Sequence, residues 1–216
     1  MTVGQPWSIV LRVFAQIFTI FFTVLILVDP IGLIPIFLAL TQEMKPRERR
    51  KTMVKSVTVA LFVLTFFIVA GEAILRFLGI MPGSFFIAGG ILFFIISLDM
   101  LLGHRQRTKT SRREMEHRED YSVFPLAVPI LAGPGTITTI IIYSVETSDP
   151  VFTGFVLFLS AVASLAVCLV AMAASDQILK LLRETGVSVV QRLMGLILSG
   201  LAIQFIYDGF IKLGII

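Results

Sequence analysis

Charge is scarce in this chain. Only 15% of its 216 residues are Asp, Glu, Lys or Arg, where a soluble domain carries roughly a quarter. The charges are clustered, and long apolar runs lie between the clusters. With 56% hydrophobic residues and a mean hydropathy of +0.95, nothing is left over to build a soluble domain. Cysteine and histidine are equally short. The single cysteine, Cys168, excludes an intrachain disulfide and fits no metal-ligand spacing. The two histidines, His104 and His117, lie in a charged loop outside any zinc pattern. No metal and no cofactor is expected beyond a coupling H⁺ or Na⁺. No nucleophile–base set stands at membrane depth, so the chain is not read as an enzyme. No Walker-type phosphate loop is present, which argues against direct use of ATP.

What is present is apolar length. Runs of roughly 18 or more apolar residues read as membrane spans. Six are expected, at about 13–41, 54–78, 83–103, 121–145, 151–175 and 190–211. The first run contains Asp29 and lacks an A-x-A-like site, so no cleaved leader is expected. Of the 18 Lys and Arg residues, all but Arg12, Arg76 and Lys212 fall in the loops after spans one, three and five. These loops share one face of a six-span chain, and the positive-inside rule makes that face cytoplasmic, with both termini outside. The basic balance follows from this rule and does not call for a nucleic-acid partner. The loop at 104–120 also holds Glu114, Glu116, Glu119 and Asp120, and reads as a solvated connector. The expected surroundings are those of a multi-pass protein in the lipid bilayer of a cytoplasmic (inner) membrane, with a homo-oligomer left open.

The chain also repeats itself. A shift of 104 lays Asp29-Pro30-Ile31-Gly32 over Gly133-Pro134-Gly135-Thr136, and Glu72 and Arg76 over Asp176 and Lys180. A shift of 105 then lays Gly90 over Gly195 and Asp99 over Gln204. Two three-span units, about 13–103 and 121–212, must enter the membrane from opposite faces because three is odd. The expected fold is one all-α membrane domain, 1–216, of six transmembrane helices in two inverted-topology repeats, an arrangement found in many secondary transporters.

Helices one and four are expected to break at mid-membrane. Pro30 removes a backbone donor and clashes with the preceding turn, Pro35 repeats this, and Gly32 lies between. Span four carries Pro125, Pro129 and Gly133-Pro134-Gly135. Broken backbone at that depth survives only where protein or a watery cavity covers it, and matched breaks in two repeats point to a binding site. Restarted half-helices aim N-terminal amides at the gap and suit a carboxylate. Thr136, Thr138 and Thr139 add hydroxyl donors, while Asp29 suits an ammonium group. One donor-rich break facing one acidic break fits a small zwitterion. The plainer reading of Asp29 is an N-cap ahead of a first-turn proline, and the two roles can coexist.

These residues carry a resemblance. The D-P-x-G-x-x-P run from Asp29, P-L-A-V-P-I-L-A-G-P-G-T-I from Pro125, F-I-A-G-G-I at 86–91 and R-L-M-G-x-x-L-x-x-x-x-x-Q-F at 192–205 resemble the MarC, or neutral amino acid transporter, family. The resemblance implies six spans in two inverted repeats and a cation-coupled carrier of glycine, alanine and similar neutral amino acids. It implies a substrate held where spans one and four unwind, around Asp29, Pro30, Gly32, Gly133, Pro134, Gly135 and Thr136. Many members carry Asn where this chain has Asp29. The rival reading is a channel, or an exporter for another small polar solute.

The remaining charges are weighed individually. Asp99 and Gln204 occupy matched repeat positions and either orient the unwound backbone, carry a coupling proton at Asp99, or simply meet interfacial water. Glu43 and Glu146 cap loops or join a proton route. Glu72–Arg76 and Asp176–Lys180 are acid-first i,i+4 pairs, read as interfacial anchors and not as a gate. Tyr207-Asp208 lacks the second aspartate motif of an intramembrane protease. Gly89, Gly90, Gly195, Ser199 and Gly200 suit close helix packing.

Overall fold

A computed structural model describes residues 6–102, 122–145 and 149–215. The loop expected at 104–120, with both histidines, and Glu146 lie outside these residues. Eight helices follow one another among the described residues: α1 (Pro6–Val28), α2 (Pro30–Thr41), α3 (Pro46–Phe77), α4 (Pro82–Leu102), α5 (Ser122–Leu131), α6 (Pro134–Val145), α7 (Pro150–Ala173) and α8 (Ser175–Lys212). Six of them begin on a proline. The position suits proline, because a first-turn amide has no partner within the helix and the ring fixes φ near the helical value. The same device, Asp before Pro, starts α7 at the surface and α2 inside the molecule. Asp149 accepts from the amide of Phe152 at 3.0 Å, and Asp29 accepts from the amide of Gly32 at 2.9 Å.

Five helical stretches among the described residues are long and apolar enough to cross a membrane: Phe14–Thr41, Pro46–Phe77, Pro82–Leu102, Pro150–Ala173 and Thr185–Lys212. The expected span at 121–145 is divided between α5 and α6, of 10 and 12 residues, so neither piece reaches the roughly 20 residues of a full crossing. α5 is wound as a π-helix. Two prolines four residues apart delete successive i→i−4 donors, and the amide of Ala132 reaches back five residues to Ala127 at 2.8 Å. The basic segment 180–192, read from its charges as a loop, is helical: α8 runs through it with one non-helical residue, Arg183 (φ 54, ψ 177).

The outer surface is apolar. Phe62 is 76% exposed and Val69 79%, where a soluble protein would bury them or aggregate through them; in an integral membrane protein they face lipid. Inside, α3 packs on α7 and α4 runs along α8. The second pair is antiparallel, because Gly83 meets Gly209 at one level and Gly195 meets Ser97 at another. The short helices fill the space between. α1 and α2 lie on α7, α5 and α6 on α3, while α2 also touches α8 and α6 touches α4. One core gathers Phe37, Leu64, Leu131, Leu157 and Cys168, and the other Phe86, Phe93, Leu198 and Phe205. Phe205 lies 5.2 Å from the Phe93 ring and 5.8 Å from that of Phe86, a tilted aromatic packing that adds about 0.5–1.5 kcal/mol per pair.

Candidate functional site

The junction of α1 and α2 turns on a single residue. Asp29 adopts a left-handed conformation, φ 47 and ψ 70, which a non-glycine residue seldom holds. The helical ladder continues on both sides of it: the Asp29 amide donates to Leu25 O at 3.1 Å and the Leu33 amide to Asp29 O at 3.0 Å. What changes is the set of donors. Pro30 has no N–H for the carbonyl of Ile26, and Gly32 turns its N–H from Val28 to the Asp29 carboxylate. Capping of this kind contributes about 1 kcal/mol and gives the half-buried carboxylate one of the donors its charge requires.

A second donor arrives from α8. The side-chain amide of Gln191 hydrogen-bonds the Asp29 carboxylate. Gly32 has to be glycine here: a Cβ would stand 1.9 Å from Asp29 Oδ2 and 2.5 Å from Gln191 Nε2. Buried Cys168 of α7 lies within electrostatic range of the same carboxylate. Asp29, Pro30 and Gly32 thus form one wall with α7 and α8. Gln191 was not among the sequence candidates. Span six was placed from 190, so this glutamine counted as a boundary residue beside Arg192, and its polarity needed no further explanation.

The junction of α5 and α6 is built differently. Gly133 is buried in the link, and α6 starts at Pro134, which is exposed. Pro134 has no N–H, so the first-turn amides without an intrahelical acceptor are those of Gly135 and Thr136. Gly135 is buried, and a Cβ on it would meet Ile96 and Leu27 at 3.0 and 3.2 Å. Leu27 belongs to the last turn of α1, two residues before Asp29, so the two junctions adjoin. Thr138 is buried with its methyl against Gly89.

Thr136 is the exception among the buried hydroxyls. Those of Thr23, Thr41, Ser56 and Thr139 donate to the carbonyl four residues back, at 2.7 to 3.1 Å. Four residues before Thr136 is Ala132, which lies outside α6. Thr136 Oγ1 is buried without any partner, as among the described residues is Ser164 Oγ on α7. A buried hydroxyl left unpaired costs about 1–3 kcal/mol, and nothing in the local chain relieves it.

The outlying candidates are not drawn into this region. Glu43 is exposed beyond the end of α2. Gln204 is exposed and donates to Asp208 on its own helix at 2.8 Å, away from the broken backbone. Asp99 is half-buried in the last turn of α4. Among the described residues no group of three His, Cys, Asp or Glu is placed to hold a metal ion.

Comparison with known proteins adds the family. A sequence profile described as "MarC family integral membrane protein" matches residues 14–213. The chain is 37% identical over 202 residues to a UPF0056 membrane protein of Methanocaldococcus jannaschii, covering 92% of this chain and 96% of that one. It is 36% identical over 203 residues to the UPF0056 membrane protein YhcE of Escherichia coli strain K12, covering 91% and 92%. A UPF0056 membrane protein of Archaeoglobus fulgidus shares 36% identity over 194 residues, covering 89% and 91%. No solved structure matches the chain.

Proposed function

The chain belongs to the MarC family of integral membrane proteins, and from that premise we propose that it is a secondary transporter of small neutral amino acids such as glycine and alanine. It works by alternating access in the cytoplasmic membrane, driven by H⁺ or Na⁺. The observation that carries this reading is the meeting of two helix junctions at Leu27 and Gly135. One junction holds a carboxylate, the other a buried hydroxyl without a partner and two first-turn amides. A zwitterion satisfies both: its ammonium group takes the acidic side and its carboxylate takes the amides of Gly135 and Thr136 with the Thr136 hydroxyl. Gly32, Gly133 and Gly135 keep space that a side chain would fill, and Thr138 backs the second junction. Gln191 orients Asp29.

The inverted repeat is supported by the register of α4 on α8. A Cβ on Gly90 would stand 2.7 Å from Ala202 O, and one on Gly195 3.0 Å from Ser97 O. A shift of 105 converts one contact into the other. The remaining packing is reciprocal in the same sense: α1 and α2 lie on α7 as α5 and α6 lie on α3. Two such units can expose one site first to one side and then to the other. The face bearing the basic residues around Lys45 to Lys55 is the cytoplasmic one, with both termini outside.

The test is uptake of labelled glycine or alanine by proteoliposomes, with and without an imposed H⁺ or Na⁺ gradient. Saturable, competitor-sensitive and gradient-dependent uptake is the expected result. Flux that rises linearly with concentration would favour the channel reading, and no flux of any neutral amino acid would remove the proposal.

A further inference from the structure

A shift of 104 carries the features at one end of α3 and α7 to counterparts at the other, yet the two ends are built differently. At the basic end, Arg49 of α3 bridges the two repeats. Its guanidinium donates to Asp176 at 2.8 Å and to Ser175 Oγ at 2.6 Å, both at the start of α8. It also lies 5.0 Å from the centre of the Phe37 ring in α2. Ser175 and Phe37 are fully buried, and the Arg49 side chain is only 23% exposed. This pair is not the i,i+4 anchor expected between Asp176 and Lys180; its partners are 127 residues apart.

At the other end the counterpart of Asp176 is Glu72, which bonds Arg76 on its own helix at 2.6 Å. The counterpart of Arg49 is Thr153, which cannot form an ion pair. In place of a bridge there is a groove of about 420 Å³ between α3, α6 and α7, lined in part by Thr65, Glu72, Ser144, Val151, Gly154 and Phe158. Val151 and Gly154 correspond to Arg47 and Arg50, so the basic end carries long side chains where the groove end carries small ones. Arg49 and Glu72 are 23 residues apart on one helix, on the order of 35 Å, so the two features lie toward opposite faces of a membrane.

We infer that the groove is the open mouth through which a small zwitterion approaches the site, and that Arg49 with Asp176, Ser175 and Phe37 is the latch holding the opposite mouth shut. The inference rests on the alternating-access reading above. Charge-assisted hydrogen bonds to a partly shielded guanidinium are stronger than an exposed surface pair. They join α3 and α2 of one repeat to α8 of the other, the units that must separate for the basic side to open.

The test places a reporter thiol in the groove by Ser144→Cys and measures its rate of reaction with a maleimide in lipid nanodiscs. The slow background from buried Cys168 is taken from the unsubstituted chain and subtracted. With the latch intact the reporter reacts readily. Arg49→Ala and Asp176→Asn are each expected to slow it roughly fivefold, the population change that about 1 kcal/mol produces, because the released basic side opens as the groove closes. Arg50→Ala, at an exposed neighbour, should leave the rate as it is. If Arg49→Ala cannot be purified, the near-isosteric Asp176→Asn decides alone. Equal rates in the latch variants and the intact protein would overturn the inference. Labelled-alanine uptake by the latch-intact protein tests the transport reading separately, because the maleimide reaction needs no substrate.

Discussion

Gly90 of α4 rests directly on the backbone of α8 at Ala202, so closely that a Cβ on the glycine would stand 2.7 Å from the Ala202 carbonyl oxygen. Gly195 of α8 meets Ser97 of α4 in the same way, at 3.0 Å. Close backbone approach through small residues is how helices associate where lipid removes the hydrophobic drive between them. The neighbour at each glycine is backbone and cannot rotate away, so a larger residue must push the helices apart. Gly90→Val and Gly195→Val are each expected to lower the melting temperature of the purified protein by several degrees, consistent with the roughly 1–3 kcal/mol of overpacking. Gly200 has nothing within 4 Å, and Gly200→Ala should hold or raise it, since alanine is the better helix former. Similar losses at all three positions would deny the paired contact.

The Asp29 cap and its charge can be separated. Asparagine caps a helix about as well as aspartate, so Asp29→Asn should fold, melt within a few degrees of the unsubstituted chain and still bind alanine. Gradient-driven accumulation should be lost, because the variant has no carboxylate to receive a cation. Gly32→Ala is expected to act oppositely, forcing Asp29 and Gln191 apart and abolishing binding while membrane insertion persists. An Asp29→Asn protein that accumulates alanine as before would reduce Asp29 to its cap.

Thr136 offers a test in which stability and function move in opposite directions. Valine has nearly the same shape and lacks the unpaired hydroxyl. Removing that penalty should stabilise the fold by about 1 kcal/mol, a rise of roughly 2–4 °C for a chain of this size. The same change removes a donor from the proposed carboxylate site, so half-saturation for alanine should rise by about tenfold or more, equivalent to 1.4 kcal/mol. Thr136→Ser should restore affinity. A Thr136→Val protein that is less stable and binds normally would mean that the hydroxyl serves the fold alone.

Much of this architecture is written locally and could be read from the sequence. Proline at 30, 46, 82, 134 and 150 announces helix starts, and Asp29-Pro30 and Gly133-Pro134-Gly135 announce the junctions. Each signal acts through the backbone of its own few residues. The π winding of α5 was less accessible, because Pro125 and Pro129 delete donors without saying which wider pairing replaces them. Gln191 on Asp29 and Arg49 on Asp176 were not legible at all. Each joins helices more than a hundred residues apart, and Asp176 had a plausible local partner in Lys180. The continuity of α8 through Lys180 to Arg192 was hidden for a related reason: a charged stretch between apolar runs resembles a loop, although a helix lying along the membrane surface has the same composition.

The most direct measurement is counterflow of alanine in proteoliposomes preloaded with unlabelled alanine, comparing the unsubstituted chain with Gly133→Leu. Gly133 is buried in the link before α6, and leucine there fills the proposed site without adding charge. The expected result is a transient accumulation of labelled alanine above its equilibrium level with the unsubstituted chain and none with the variant, which still inserts and purifies. No overshoot with the unsubstituted chain, or the same overshoot with Gly133→Leu, would contradict a carrier whose substrate sits between the two interrupted helices.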